Sequence, residues 1–400
     1  MRLNQLPGDV HLTYCTNIHA GESWRDIRAS LDEHVPAIKS TVAANQPMGI
    51  GLRLSGEAAV VAREPEALAA FGDQLAKLGA YVFTINAFPF GPFHGVRVKE
   101  QVYLPDWRDR ERVAFTANSA AVLAAVLPDG VDGSISTVPG AFKPNGRSSE
   151  AINAMASNLM LAVADLVDVE RRTGKHISLA LEPEPCCFLE TTDESIAFFK
   201  GTILKTETLD KLGAMTGVSR QEAEVLLRRH LGICYDVCHG AVEYEDIVAA
   251  LDRLLAAGIA IPKIQLSAAM RVPAMKKDLI GAVMRYNDGV YLHQSIVRQD
   301  DNLVRHVDLP DAVAAFGEGK ADGEWRIHCH VPVFLADLGE ISSTRSDLVT
   351  TLAALRRKTR SSHLEVETYT WDVLPDKLRT GSKSSDIARE IAFCQQELTG

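Results

Sequence analysis

The sequence predicts an α/β protein folded as a (β/α)8 TIM barrel, and three observations point there. Short β-rich runs alternate with longer helical patterns along the chain, the mark of βαβ units and a parallel sheet. Within those runs the polar residues share one parity and the aliphatic residues the other. The length of 400 residues suits a single barrel with insertions, since the bare fold needs roughly 250.

The runs read as strands are 11–18, 49–54, 81–86, 133–138, 177–182, 232–237, 261–267, 290–297, 325–331 and 362–368. Helical patterns fall near 22–45, 64–79, 107–126, 148–173, 205–230, 243–257, 309–316, 345–358 and 384–398. Ser219 and Glu222 form a capping box, and Gly174 and Gly258 stand where a helix should stop. No Pro/Ser-rich linker divides the chain, so 1–400 is expected to be one domain. Ten strand candidates compete for eight places. The surplus lies at 290–297 and 325–331, so a long insertion (about 268–340) is expected between the seventh and eighth barrel strands.

Apolar residues at 46% and charged residues at 24% suit a globular enzyme with a large core. A net charge of −10 repels a phosphate backbone and argues against a nucleic-acid partner. The basic runs Arg171-Arg172, Arg228-Arg229 and Arg356-Arg357-Lys358 close expected helices, where cations favour the C-terminus. No apolar run approaches the ~20 residues of a membrane span, and residues 1–15 lack an apolar signal core, so a cytoplasmic protein is expected. The seven cysteines include no C-x-x-C pair and read as small buried reduced thiols.

In a parallel barrel the helix-facing side must be apolar, so the polar parity points inward. Glu182 and Glu184 share a face, as do Lys263, Gln265 and Ser267, and His363, Glu365 and Glu367. Asp236 ends one strand with His239 in the turn beyond, and His328-x-His330 places two imidazoles on one face. Carboxylates gathered inside a barrel need a cation beside them. The expected metal site is therefore Glu182, Asp236, His239, Gln265, His328, His330 and Glu367. Its mixture of imidazoles and carboxylates suits one or more Zn, Mn, Co or Fe ions and argues against a calcium cage. Without a metal, Glu182 could pair with Lys263, and Glu365 with Arg326.

Loops after barrel strands build the mouth of this fold. Phe88, Phe90, Phe93 and His94 form an aromatic loop after the third strand, and Asn17, His19 and Arg53 fall at other mouth positions. With Glu365 and Trp371 they are candidate substrate contacts, with a structural plug or wall as the plain alternative. No G-x-x-x-x-G-K-[ST] and no convincing G-x-G-x-x-G occurs, so a nucleotide cofactor is not expected.

The run 232–239 (GICYDVCH) resembles the D-x-x-H strand of xylose-isomerase-like barrels, a superfamily of sugar isomerases, ketose epimerases and zinc apurinic-site endonucleases. Leu181-Glu182-Pro183 is similar to its fifth-strand glutamate, and Glu367-Thr368 to its final E-T, with Glu365 as the rival. Gln265 stands where that superfamily usually has histidine, and His328 where it has a carboxylate. More narrowly, 12–24, 86–95, 98–107, 136–143, 181–187, 234–239, 325–334 and 364–375 resemble the EboE family of metabolite-traffic proteins from bacterial ebo clusters. The resemblance implies a small polyhydroxylated, sugar-like or cyclitol-like metabolite as substrate. The expected chemistry is metal-assisted isomerisation or epimerisation, with Glu182 and Glu367 moving the proton. His239 and Lys263 would hydrogen-bond the developing enediolate. Hydrolysis of a small phosphoester, and metabolite binding without turnover, are the alternatives.

Overall fold

The computed structural model describes residues 1–371, 374, 379 and 381–400. The expected run 364–375 therefore extends into residues 372, 373 and 375, which lie outside the described residues. Seven barrel strands come first: β1 (His11–Tyr14), β2 (Met48–Arg53), β3 (Ala80–Asn86), β4 (Gly133–Thr137), β5 (Ile177–Leu181), β6 (Leu231–Asp236) and β7 (Ala260–Leu266). The insertion then supplies β8 (Met270–Val272), β9 (Ser295–Gln299), β10 (Asn302–His306), β11 (Glu324–Ile327) and β12 (Ser342–Ser343). The last barrel strand is β13 (His363–Val366).

The barrel order is β1-β13-β7-β6-β5-β4-β3-β2, with every paired ladder parallel. Its two ends meet at a bridge between Cys15 and Gly51. Strand β1 is too short to satisfy β2 by backbone alone, so side chains complete the seam. The Thr13 hydroxyl donates to Gly49 O at 2.8 Å and accepts from Gly51 N at 3.0 Å. Thr16 Oγ1 accepts from Arg53 N at 2.8 Å. Left unpaired, these buried backbone groups would be costly. Gly51 is needed here: a Cβ would lie 2.0 Å from the Glu365 carboxylate and 2.8 Å from Tyr14 O.

Aliphatic residues such as Leu12, Ile85, Ile135, Leu179, Ile233 and Leu364 are buried in the main hydrophobic core, as the strand parity requires. Inside the barrel the polar side chains lie in layers. The deepest holds His363, whose Nδ1 is 2.8 Å from Ser134 Oγ, with Phe83 against its ring. Above it sits the fully buried ion pair of Lys263 with Glu365. The third layer is the mouth.

Several expectations shift in detail. Strand 11–18 stops at Tyr14 and becomes a 3-10 turn, Thr16–Ile18. The helix expected over 205–230 is two helices, Thr206–Thr216 and Arg220–His230, because Gly217 adopts φ +70° and Ser219 caps anew. The insertion is an antiparallel sheet, β10-β9-β11-β8-β12, with β8, β10 and β12 unanticipated. Strand β9 begins at Ser295, later than expected, and 290–294 forms a loop instead. One helix, Ser149–Thr173, is long and apolar enough by composition to cross a membrane, contrary to the sequence reading. Its Leu159, Met160, Val163 and Leu166 are buried in the protein's own core. The seven cysteines are free and buried.

Replacing Gly51 by alanine should overpack the seam and destabilise the protein by about 1–3 kcal/mol, read as a lowered midpoint in thermal unfolding. An unchanged midpoint would mean that β1 and β2 do not meet as described.

Candidate metal centre

Five segments bring their polar ends to one place. Glu182 follows β5, and Asp236 ends β6 and caps the short helix Val237–Val242, accepting from His239 N at 3.1 Å. That cap turns His239 back over the mouth. Gln265 lies on β7, in register with Asp236 on one side and Glu365 on the other. After β11 the chain leaves the insertion sheet, with His328 N bonded to Gln294 O and Val331 N to Ala268 O. This returns His328 and His330 to the barrel, where Glu367 follows β13.

Each of the three imidazoles is pinned through Nδ1 at 2.8 Å: His239 to Pro183 O, His328 to Gln294 Oε1, and His330 to Glu367 O. Those oxygens can only accept, so each Nδ1 carries the proton and each Nε2 presents a lone pair. His239 Nε2 and His328 Nε2 face each other 3.1 Å apart. Asp236 Oδ2 lies 3.8 Å from His239 Nε2 and 3.8 Å from His330 Nε2. Asp236 Oδ1 is satisfied by Ser267 Oγ at 2.6 Å, whereas Oδ2 is buried without a hydrogen-bond partner. Glu182 Oε2, His330 Nε2 and both amide atoms of Gln265 share that condition. Carboxylate oxygens of Glu182, Asp236 and Glu367 come within 4.8 Å of one another.

Two lone pairs face to face repel unless something positive lies between them. Protonation is a poor remedy, because burial holds His239 below its ordinary pKa and, with the neighbouring imidazoles, holds His328 well below it. Burial and Asp236 push Glu182 well above the usual carboxylate range; burial, Glu182 and Asp236 do the same to Glu367. For Asp236 burial acts upward, while positive charge on His239 or His330 and the Ser267 hydrogen bond act downward and hold it low, a role that a cation at their Nε2 atoms would take over. A divalent cation fits: it would accept the Nε2 lone pairs and the unpartnered Asp236 and Glu182 oxygens, with every imidazole already oriented by an outer hydrogen bond.

A cavity of about 60 Å³ opens above this centre. Among the anticipated substrate contacts, Asn17 and Phe88 line it, with Glu182, His239, His328, His330 and Glu367. Asn17 Nδ2 donates to Glu367 Oε1 at 2.6 Å and Asn86 Nδ2 donates at 3.2 Å. The other anticipated contacts do not line it. Phe90 packs edge-on against Phe115, 5.3 Å between centroids. Arg53 pairs with Glu22 at 2.5 Å and donates to Gly21 O and Gly91 O, tying two loops together. His94 Nδ1 lies 3.9 Å from the same Glu22. His19 stacks on His34 at 4.1 Å, and Trp371 is buried with Nε1 donating to Glu390 at 2.8 Å.

Lys263 and Glu365 also lie away from the cavity, one layer deeper, engaged with each other. Neither metal-free pairing considered from sequence forms: Glu365 is on Lys263, and Arg326 holds Glu324 and Asp347. Sequence reasoning missed Asn86, Tyr103, Glu184 and Gln294. Glu184 Oε1 accepts from Tyr103 OH at 2.7 Å and from Gln294 Nε2 at 3.0 Å, and burial pushes Glu184 up to about 7. Its shared parity with Glu182 was the available signal. Tyr103 ends a short 3-10 helix, Lys99–Tyr103, and Gln294 sits in a loop within the run read as a strand, so neither was marked as a site residue.

Fold and site together define a (β/α)8 barrel with a buried imidazole–carboxylate centre at its C-terminal mouth. No family model matches the chain, and no curated protein matches it. Solved structures similar to it include an L-ribulose 3-epimerase (12% identity, TM-score 0.47, covering 97% of this chain and 94% of that one). Another is the IolI protein with a bound zinc atom (11%, TM-score 0.47, 98% of each chain). A third is the probable 3-DHS dehydratase AsbF from Bacillus anthracis (13%, TM-score 0.44, 96% and 98%). The barrel assignment stands on the strand order above.

Two outcomes follow. Lys263→Met should cost about 3–5 kcal/mol by stranding Glu365, and adding Glu365→Leu should recover most of that in a denaturant titration. Gln294→Leu should weaken metal affinity about 10–100-fold by releasing His328, measured by competition with a chromophoric chelator; an unchanged affinity would remove Gln294 from the centre.

Proposed function

We propose that this chain is a metal-dependent isomerase or epimerase of a sugar-, polyol- or cyclitol-like metabolite. The observation that carries the reading is the pair of opposed Nε2 atoms, 3.1 Å apart, beside the unpartnered Asp236 Oδ2. His239, His328, His330, Asp236, Glu182 and Glu367 would hold the ion, with Gln265 beside them. When bound, a Zn, Mn, Co or Fe ion supplies Lewis-acid polarisation of a substrate carbonyl and a template for its neighbouring hydroxyl.

The remaining work falls to the chain's own groups. Glu182 and Glu367 reach the cavity from β5 and β13, three places apart in the barrel order. One takes the proton from the carbon beside the carbonyl and the other returns it. Asn17 and Asn86 hold Glu367 through Oε1, which fixes its direction. The aromatic wall of the pocket, with Phe88, Phe93, Tyr291 and Tyr369, would limit water at the reacting carbon. The sequence resemblance to the EboE family and to xylose-isomerase-like barrels supports the same class of substrate.

Elemental analysis of the purified protein should find a transition metal, and Asp236→Ala should lower its content at least tenfold. Glu367→Gln should keep the metal yet lose about 10²–10⁴-fold in solvent-deuterium exchange into a turned-over ketose. Full exchange in that variant would sink the acid–base role.

A further inference from the structure

The cavity above the centre has two unlike ends. Its floor carries the carboxylates Glu182, Glu184 and Glu367 with three imidazoles, while its walls include Phe93, Tyr291, Leu292 and Tyr369. Ring centroids of Phe93 and Tyr291 are 5.0 Å apart, those of Phe93 and Tyr369 5.5 Å, and those of Tyr291 and Tyr369 5.2 Å. Tyr369 in turn lies 4.8 Å from the His330 ring. One aromatic surface therefore runs from the mouth down to the centre. The Tyr291 hydroxyl donates to Phe93 O at 3.0 Å, so a polar atom of that wall is already engaged.

The charge on the cavity wall is one-sided. Lys99 is the cation among the described lining residues, and its ammonium is bonded to Asp308 at 2.5 Å and to Tyr291 O at 2.7 Å. A bound ion's charge is met by Asp236, Glu182 and Glu367. A phosphate or carboxylate entering this space would lose its water and meet carboxylates, and the one cation among the described lining residues, Lys99, is already paired. Hydroxyl groups, by contrast, can donate to the floor carboxylates, and ring faces or hydrocarbon can cover the aromatic wall.

Resting on the metal-centre reading above, we propose that the ligand is uncharged and two-ended. A hydroxylated head reaches the centre, joined to an apolar ring or chain that seats on Phe93, Tyr291 and Tyr369. Phosphorylated sugars are disfavoured by the charge of the described wall.

The test compares the metal-loaded protein's affinity for D-glucose, D-glucose 6-phosphate and phenyl β-D-glucopyranoside by titration calorimetry. The phenyl glucoside should bind at least tenfold tighter than glucose, and the phosphate more weakly than glucose. Tyr291→Ala should shrink the phenyl preference below threefold with metal content unchanged, while Tyr291→Phe retains it. Tighter binding of the phosphate, or no gain from the phenyl group, overturns the inference. If the affinities for both D-glucose and the phenyl glucoside survive chelation at full strength, the metal-centre reading fails and the two-ended ligand stands. If binding needs the metal but follows the phosphate, the reverse holds.

Discussion

Like charges and lone pairs packed together out of water are the constraint around which this molecule is organised. At the mouth of the barrel the Nε2 atoms of His239 and His330 lie beside Asp236, that of His328 faces His239, and three carboxylates crowd together, while burial denies those groups the solvent that would separate them. The surrounding hydrogen bonds make sense as consequences. Pro183 O, Gln294 and Glu367 O fix the three tautomers, Ser267 holds one oxygen of Asp236, and Asn17 with Asn86 holds one oxygen of Glu367. Asp236 Oδ2, Glu182 Oε2 and His330 Nε2 are left buried there without a hydrogen-bond partner. Below them Lys263 neutralises Glu365, so the interior carries its own counter-charge before any ion binds.

The insertion is part of that arrangement. It carries Gln294, leads out through β11 to His328 and His330, and places Tyr291 and Leu292 over the cavity. Its docking is specific: Gln294 Nε2 reaches Glu184 and Pro185 O, and Lys99 from the third βα loop reaches back to Asp308. A barrel without it would lack two of its three centre imidazoles.

Much of this was legible in the chain. Alternating runs gave the barrel, side-chain parity grouped Glu182, His328 with His330, and Glu367, and the D-x-x-H spacing added Asp236 with His239 in the turn beyond the strand. Depth was not legible. Glu365 and Glu367 share a parity, and so do Lys263 and Gln265; only the assembled barrel shows that the first of each pair lies a layer below the second. Loop residues were harder still. Arg53, His94 and His19 have the chemistry of a site but are spent on Glu22 and on His34, while Gln294 reaches the centre from a stretch expected to be strand and Tyr103 from the end of a short 3-10 helix. Local signals also gave way to context: Gly217 splits one expected helix, and the apolar Ser149–Thr173 helix packs inside the protein.

Anomalous diffraction from a crystal of the purified protein, collected at transition-metal absorption edges, tests the central claim most directly. The account predicts a peak about 2.0–2.2 Å from His239 Nε2 and His328 Nε2 with an Asp236 oxygen in its coordination sphere. A featureless map at those edges, with a proton or a water joining the two imidazoles, would contradict it.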